Sequence, residues 1–129
     1  MHIKDDPIAK VLDGLMELDD ILACMVACKN MVSVEPSSGT NSFKPEVYKI
    51  WDDVKSTMDY AFEMISHHSE FGEMNYRVRD YEVMLYVLPD TETALVAIVP
   101  SLANKGLVEI QMENARQKIQ KIREEEQLT

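Results

Sequence analysis

The stretch from Glu73 to Ile122 constrains the fold more than any other part of this chain. Met74-Asn75-Tyr76-Arg77-Val78-Arg79 alternates apolar and polar residues, the period of a strand with one wet face. Tyr81 to Leu88 and Thr93 to Val99 are far more apolar, and Pro89-Asp90-Thr91-Glu92 between them is turn chemistry. Pro100 to Gly106 ends the strands and opens a long amphipathic helix with Val108, Met112, Ala115, Ile119 and Ile122 on its apolar stripe. Three strands running into a helix predict a sheet with helices packed on it. No catalytic group stands at a strand end, so the pattern speaks of contacts more than of a reaction.

The first half supplies the remaining elements. Asp6-Pro7 is a helix start, a capping carboxylate followed by proline at the first helical position. Ile8, Val11, Leu12 and Leu15 form that helix's stripe, and Asp19-Asp20 is its expected end. The run Ile21 to Cys28 has small or apolar residues on both faces, as an interior strand requires. Lys29-Asn30 is read as a turn into Met31 to Glu35. Pro36-Ser37-Ser38-Gly39-Thr40-Asn41-Ser42 is a loop expected to be mobile. A second helix is predicted from near Pro45 to about Ser66, with Val47, Trp51, Val54, Met58, Ala61 and Ile65 at alternating steps of four and three. Tyr48, Ile50, Tyr60 and Phe62 add apolar surface off that seam, which suggests a second buried contact. The predicted order is α-β-β-α-β-β-β-α, an α+β chain forming one domain over residues 1–129 with its core between about 7 and 122.

With 129 residues, 46 % hydrophobic and 28 % charged, the chain can bury a core without disulfides or metal. Its formal net charge of −10 excludes nucleic acid, which demands a basic stripe, and disfavours an anionic membrane. No apolar run is long enough to span a bilayer, and no signal-peptide pattern precedes the first helix. A cytoplasmic protein is expected. Cys24 and Cys28 are read as small buried hydrophobes, both facing the same way as Leu22 and Val26, because they cannot bridge to each other and no third cysteine completes a metal site.

The strand Met74 to Arg79 turns Met74, Tyr76 and Val78 to one side and Asn75, Arg77 and Arg79 to the other. A half-polar strand suits a sheet edge, where unpaired backbone groups invite a second chain. The preceding helix carries surplus apolar surface. Together they predict a two-fold dimer. Its expected interface is Trp51, Val54, Met58, Ala61, Phe62 and Ile65 from the helix, with Met74, Asn75, Tyr76, Arg77, Val78 and Arg79 from the strand.

In pattern the chain resembles the Roadblock/LC7 family, in the prokaryotic branch that accompanies Ras-like GTPases. The residues that carry the resemblance are Gly14-Leu15-Met16-Glu17-Leu18 in the first helix, the strand Ile21 to Cys28, and Leu95-Val96-Ala97-Ile98-Val99-Pro100 followed by Asn104-Lys105-Gly106-Leu107-Val108. The chain departs from the family at Lys29-Asn30-Met31-Val32, where an Asp-Gly type turn is usual, and in the longer, polar segment Glu35 to Lys44. The resemblance implies a five-stranded antiparallel sheet with the central helix on one face and two helices on the other. It also implies dimers of like or paralogous chains joined edge to edge, and a non-enzymatic role binding a Ras-like small GTPase or scaffolding a complex. Asp52, Lys55, Asp59 and Glu63 on the central helix would then lie nearest the GTPase.

Other chemistry has little footing. Four scattered glycines make no phosphate loop, so neither nucleotide nor any other cofactor is expected. His67-His68 are adjacent and form a poor metal pair, and no metal site is expected. Ser37, Ser38 and Ser42 lack His and Asp partners for nucleophilic catalysis. Asp5-Asp6, Asp19-Asp20 and Asp52-Asp53 read as surface charge. Most of the nine methionines are expected to fill the core, with Met58 and Met64 suiting either a core or a binding groove. The competing reading is a PAS- or profilin-like small-molecule sensor, which requires an apolar cavity with convergent polar groups.

Overall fold

The computed structural model describes residues 6–29, 31–67, 72–88 and 92–127. The expected order of elements holds: α1 (Pro7–Met16), β1 (Ala23–Cys28), β2 (Met31–Val34), α2 (Glu46–His67), β3 (Glu73–Val78), β4 (Tyr81–Val87), β5 (Thr93–Pro100) and α3 (Lys105–Gln127). Asn30 of the first expected turn, Pro89-Asp90-Thr91 of the second, and His68 lie outside the described residues.

Asp6 caps α1 by accepting from the Ile8 and Ala9 backbone N–H groups, at 2.9 and 3.4 Å. The helix stops at Met16, short of Asp19-Asp20, and turn bonds from Leu18 to Leu15 and from Ile21 to Leu18 carry the chain into β1. The strands form one antiparallel sheet in the order β2-β1-β5-β4-β3. The mostly apolar strands β1, β5 and β4 take its centre, where both faces are covered. The half-polar β3 lies at one edge, and the short β2 at the other.

Each face of the sheet has its own helical layer. Val47, Ile50, Val54, Met58, Ala61 and Phe62 of α2 pack on Ala23, Met25, Ala27, Val83, Leu85, Val96 and Ile98. On the other face, Ile8, Leu12 and Leu15 of α1 and Val108, Met112, Ala115 and Ile119 of α3 cover Cys24, Val26, Met84, Tyr86, Leu95, Ala97 and Val99. No polar or charged residue among those described is buried. Burying each Leu- or Met-sized side chain contributes about 1.5–3 kcal/mol. Leu22 corrects the expected alternation. It precedes the strand and packs on the α2 side with Ala23 and Met25, not beside Cys24 and Val26.

Polar groups fasten the periphery. Ser37 donates its N–H and hydroxyl to the Asp13 carboxylate, at 2.8 and 2.6 Å, so the loop expected to be mobile is tied to α1. It holds a 3-10 turn at Gly39–Ser42 and buries Phe43 against the core. Lys105 meets Glu82 at 2.7 Å where α3 begins. Further along α3, Arg116 lies over the Tyr86 ring, 5.2 Å from its centre, and donates to the Gly72 carbonyl at 2.9 Å.

Candidate functional site

The residues that the sequence singles out for contact with another molecule lie on α2, on β3 and in the turn after it. Val78 and Tyr81 close the β3–β4 hairpin, with Arg79-Asp80 as its two-residue turn. Such turns need a positive φ, and Arg79 adopts φ 54. Arg79 therefore belongs to the turn and not to the polar side of the strand, as its alternation had implied. Its guanidinium reaches Asp53 on α2 at 3.3 Å. Met74 and Tyr76 face α2, and the Tyr76 hydroxyl donates to the Val54 carbonyl at 3.4 Å. Burial raises the Tyr76 phenol above its ordinary range; a hydrogen bond from Thr57 opposes that shift and the Asp59 charge adds to it. Glu73, Asn75 and Arg77 are exposed on the other side of β3.

A helix advances about 100° per residue, so α2 presents two outward flanks beside its buried stripe. Asp53, Tyr60 and Met64 share the flank beside β3, with Tyr60 78 % and Met64 50 % exposed. Asp52, Lys55, Asp59 and Glu63 share the flank toward β2. On that side an open groove of about 260 Å³ runs between strand and helix, lined by Cys28, Met31, Val32, Trp51, Lys55, Met58 and Asp59. Glu63 pairs with Lys29 across it. The hydrogen bond and charge of Glu63, aided by Asp59, hold the Lys29 ammonium above its ordinary value.

The predicted interface residues thus separate into three groups. Val54, Met58, Ala61, Phe62 and Val78 are buried by the chain's own fold and offer no side-chain surface to a partner. Trp51 and Ile65 are half-buried against the same core, and Trp51 tilts against Phe43 at 6.1 Å on the groove side, away from β3. Met74, Asn75, Tyr76 and Arg77 remain on the open edge. Of the off-seam residues, Ile50 and Phe62 complete the core, whereas Tyr48 and Tyr60 stay exposed. Met58 is core and Met64 is not. Tyr60, read from the sequence as surplus apolar surface, and Met64, read as suiting a core or a groove, are both exposed, and their spacing from Asp53 places all three on one side of the helix.

The remaining chemistry is structural. Cys24 is buried and donates to the Leu12 carbonyl at 3.3 Å, and burial raises its thiol well above the ordinary range, with the Asp13 charge adding to it. Among the described residues, no group of three or more His, Cys, Asp or Glu side chains is placed to share a metal ion. No helix among them is long and apolar enough to cross a membrane. The groove is open, its lining sets Lys55 and Asp59 beside Cys28, Met31, Val32, Trp51 and Met58, and no polar or charged side chain among the described residues is buried.

A five-stranded antiparallel sheet with α2 on one face and α1 and α3 on the other is the Roadblock/LC7-type fold that the sequence resembles. No family model matches the chain, and no curated protein matches it in sequence. Solved structures share the fold at low identity. Myxococcus xanthus MglB is 15 % identical with a TM-score of 0.66, over 95 % of this chain and 99 % of that one. The gliding protein MglB of Thermus thermophilus is 16 % identical with a TM-score of 0.60, over 95 % of both chains. A structure of MglB in a tetrameric arrangement is likewise 16 % identical with a TM-score of 0.60, over 95 % of this chain and 94 % of that one.

Proposed function

We propose that the chain is a non-enzymatic, dimeric cytoplasmic regulator or scaffold that binds a Ras-like small GTPase. The observation that carries this reading is the division of labour around α2. One flank sets exposed Tyr60 and Met64 beside the bare β3 edge, and the other sets Asp52, Lys55, Asp59 and Glu63 beside the groove. The first is suited to a second subunit and the second to a different partner, so both can be engaged at once. The GTPase comes from the family resemblance, and the fold shared with the MglB structures supports it. The tetrameric arrangement described for one MglB supports self-association.

The test is a pull-down with purified Ras-like GTPases loaded with GDP or with a non-hydrolysable GTP analogue. Asp59→Arg together with Glu63→Arg should reduce recovery at least tenfold, since charge reversal on a contact flank acts on both encounter and hold. Both side chains lie on the helix surface, and a circular-dichroism melt checks that the fold survives. Recovery equal to that of the unsubstituted chain would remove the groove flank as the GTPase surface.

A further inference from the structure

The groove between β2 and α2 has the dimensions of a side-chain socket. Its volume of about 260 Å³ lies below the roughly 300–1,000 Å³ of pockets that enclose small molecules. Along α2 it runs from Trp51 to Asp59, about 12 Å at 1.5 Å per residue, the length of two helical turns. Trp51 and Met58 line it from the helix, and Met31 lines it from the strand while standing 61 % exposed. An unbranched thioether side chain such as Met31 adapts its shape to whatever is laid against it. The charges are arranged unevenly. Lys55 is the one cation in the lining and falls between Asp52 and Asp59 on the same flank of α2, while the next acid along, Glu63, is paired with Lys29. The groove is thus an apolar trough with an excess of acid along its helix side.

We propose that this groove seats a basic amphipathic helix of a protein partner. Two apolar side chains one turn apart lie against Trp51 and Met31, and a lysine or arginine on the next turn lies beside Asp59. The proposal rests on the reading that this flank of α2 meets the partner, and it names the element the partner brings. Apolar anchors in small, well-packed pockets carry most of the energy of compact interfaces, and a trough two turns long matches anchors at helical spacing. A helix is favoured over an added strand because β2 spans only four residues, too short a margin for strand pairing to hold a segment. The sign of the occupant follows from charge. The chain carries a formal net charge of −10, and Asp52 and Asp59 stand along the trough against a single lining lysine. An acidic segment is repelled at both ranges, whereas a basic one is steered in and then held.

The chain's only tryptophan and its more accessible cysteine both line the groove, so occupancy can be read on the full chain directly. The probe is a blocked, alanine-rich helical peptide of about 15 residues with two leucines one turn apart and a lysine on the next turn. On titration, Trp51 emission should move to shorter wavelength. At about ten times Kd, Cys28 should react with a thiol reagent about tenfold more slowly, because only the free fraction reacts. Alanine for either leucine should raise Kd at least about tenfold. Asp59→Arg on the chain, or glutamate for lysine in the peptide, should each weaken binding about tenfold, and the two changes together should return it to within about threefold. Met31→Glu should weaken binding about tenfold and Met31→Leu by no more than about threefold, with a circular-dichroism melt confirming the fold of each. An unchanged Trp51 emission and Cys28 rate at about 1 mM peptide, or equal affinity for the lysine and glutamate peptides, would overturn the proposal. So would protection of Cys28 that grows with the concentration of the chain alone, since a second copy would then be the occupant. Peptide binding without recovery of any loaded GTPase would support the groove and overturn the GTPase reading alone. An inert peptide, with GTPase recovery lost in Asp59→Arg with Glu63→Arg but kept in Met31→Glu, would overturn the groove and leave the flank.

Discussion

Phe62 and Tyr60 are two aromatic residues on one helix, and the structure assigns them opposite work. Phe62 is 6 % exposed in the core under α2, whereas Tyr60 is 78 % exposed on the flank beside β3. Truncating a buried phenylalanine costs about 3–5 kcal/mol, the transfer of the ring plus the cavity it leaves. Against a total stability of about 5–15 kcal/mol for a domain of ordinary size, that is a large loss. Phe62→Ala should therefore move the urea midpoint strongly when the chain is dilute enough to be monomeric. Tyr60→Ala should change monomer stability by no more than about 0.5 kcal/mol, as for an exposed position with no special geometry. Its effect should appear in association. Tyrosine brings on the order of 150–250 Å² of surface, so covering half of it removes about 100 Å² from water in each copy. At about 25 cal/mol/Å² that is roughly 2.5 kcal/mol per copy, and ordering costs leave at least about a tenfold rise in Kd. Denaturation followed by Trp51 fluorescence and equilibrium sedimentation read the two quantities separately. If Tyr60→Ala destabilises the monomer as much as Phe62→Ala does, or leaves the dimer Kd unchanged, the division of α2 into a core face and an outward flank is wrong.

Three further outcomes are expected. Asp6→Ala should cost about 1 kcal/mol by removing the acceptor for two N–H groups at the start of α1, read from the shift in urea midpoint. Tyr86, its phenol pushed up to about 12 chiefly by burial, keeps its full stabilising contribution below its ordinary value near 10 and loses it as pH climbs toward 12. Cys24 acts in the same direction from its own ordinary value of 9.0 upward, so stability should decline across this alkaline range and Tyr86→Phe should flatten the upper part of the decline. Cys24 should also resist a thiol reagent in the native chain and react on unfolding, whereas the half-buried Cys28 reacts first; equal native rates would contradict the burial of Cys24.

Much of this architecture is legible in local pattern, because burial imposes different periods on different elements. β3 reads as an edge from the alternation of Met74, Tyr76 and Val78 with Asn75 and Arg77, and the sheet order places it there. The centre reads from the apolar runs in β1 and β5. Pattern fails where geometry beyond the local period decides. Ile50 and Phe62 lie off the four-and-three seam, but α2 presses on a broad sheet face and buries a wider stripe than a narrow seam allows. Arg79 continues the strand's alternation but is taken by a two-residue turn, and Leu22 is reoriented before β1 begins. The tie between Ser37 and Asp13 joins residues far apart in sequence, so composition shows a loop and conceals its anchor. Of the candidate surface, the acidic flank and the edge were readable. The two flanks of α2 could be told apart only once Asp53 and Lys55 were seen to face different strands.

The sheet has a second bare margin in β2, and its form governs how far assembly can run. β2 spans only Met31–Val34, its register against β1 is interrupted between Val26 and Ala27, and Pro36 follows soon after. A short, bent border next to a residue without an N–H is a poor template for another strand, a common safeguard against runaway stacking. Lateral growth therefore has one permissive side, and a contact that uses the same side of both molecules exhausts it. The proposed dimer would therefore be a closed pair and not a fibre.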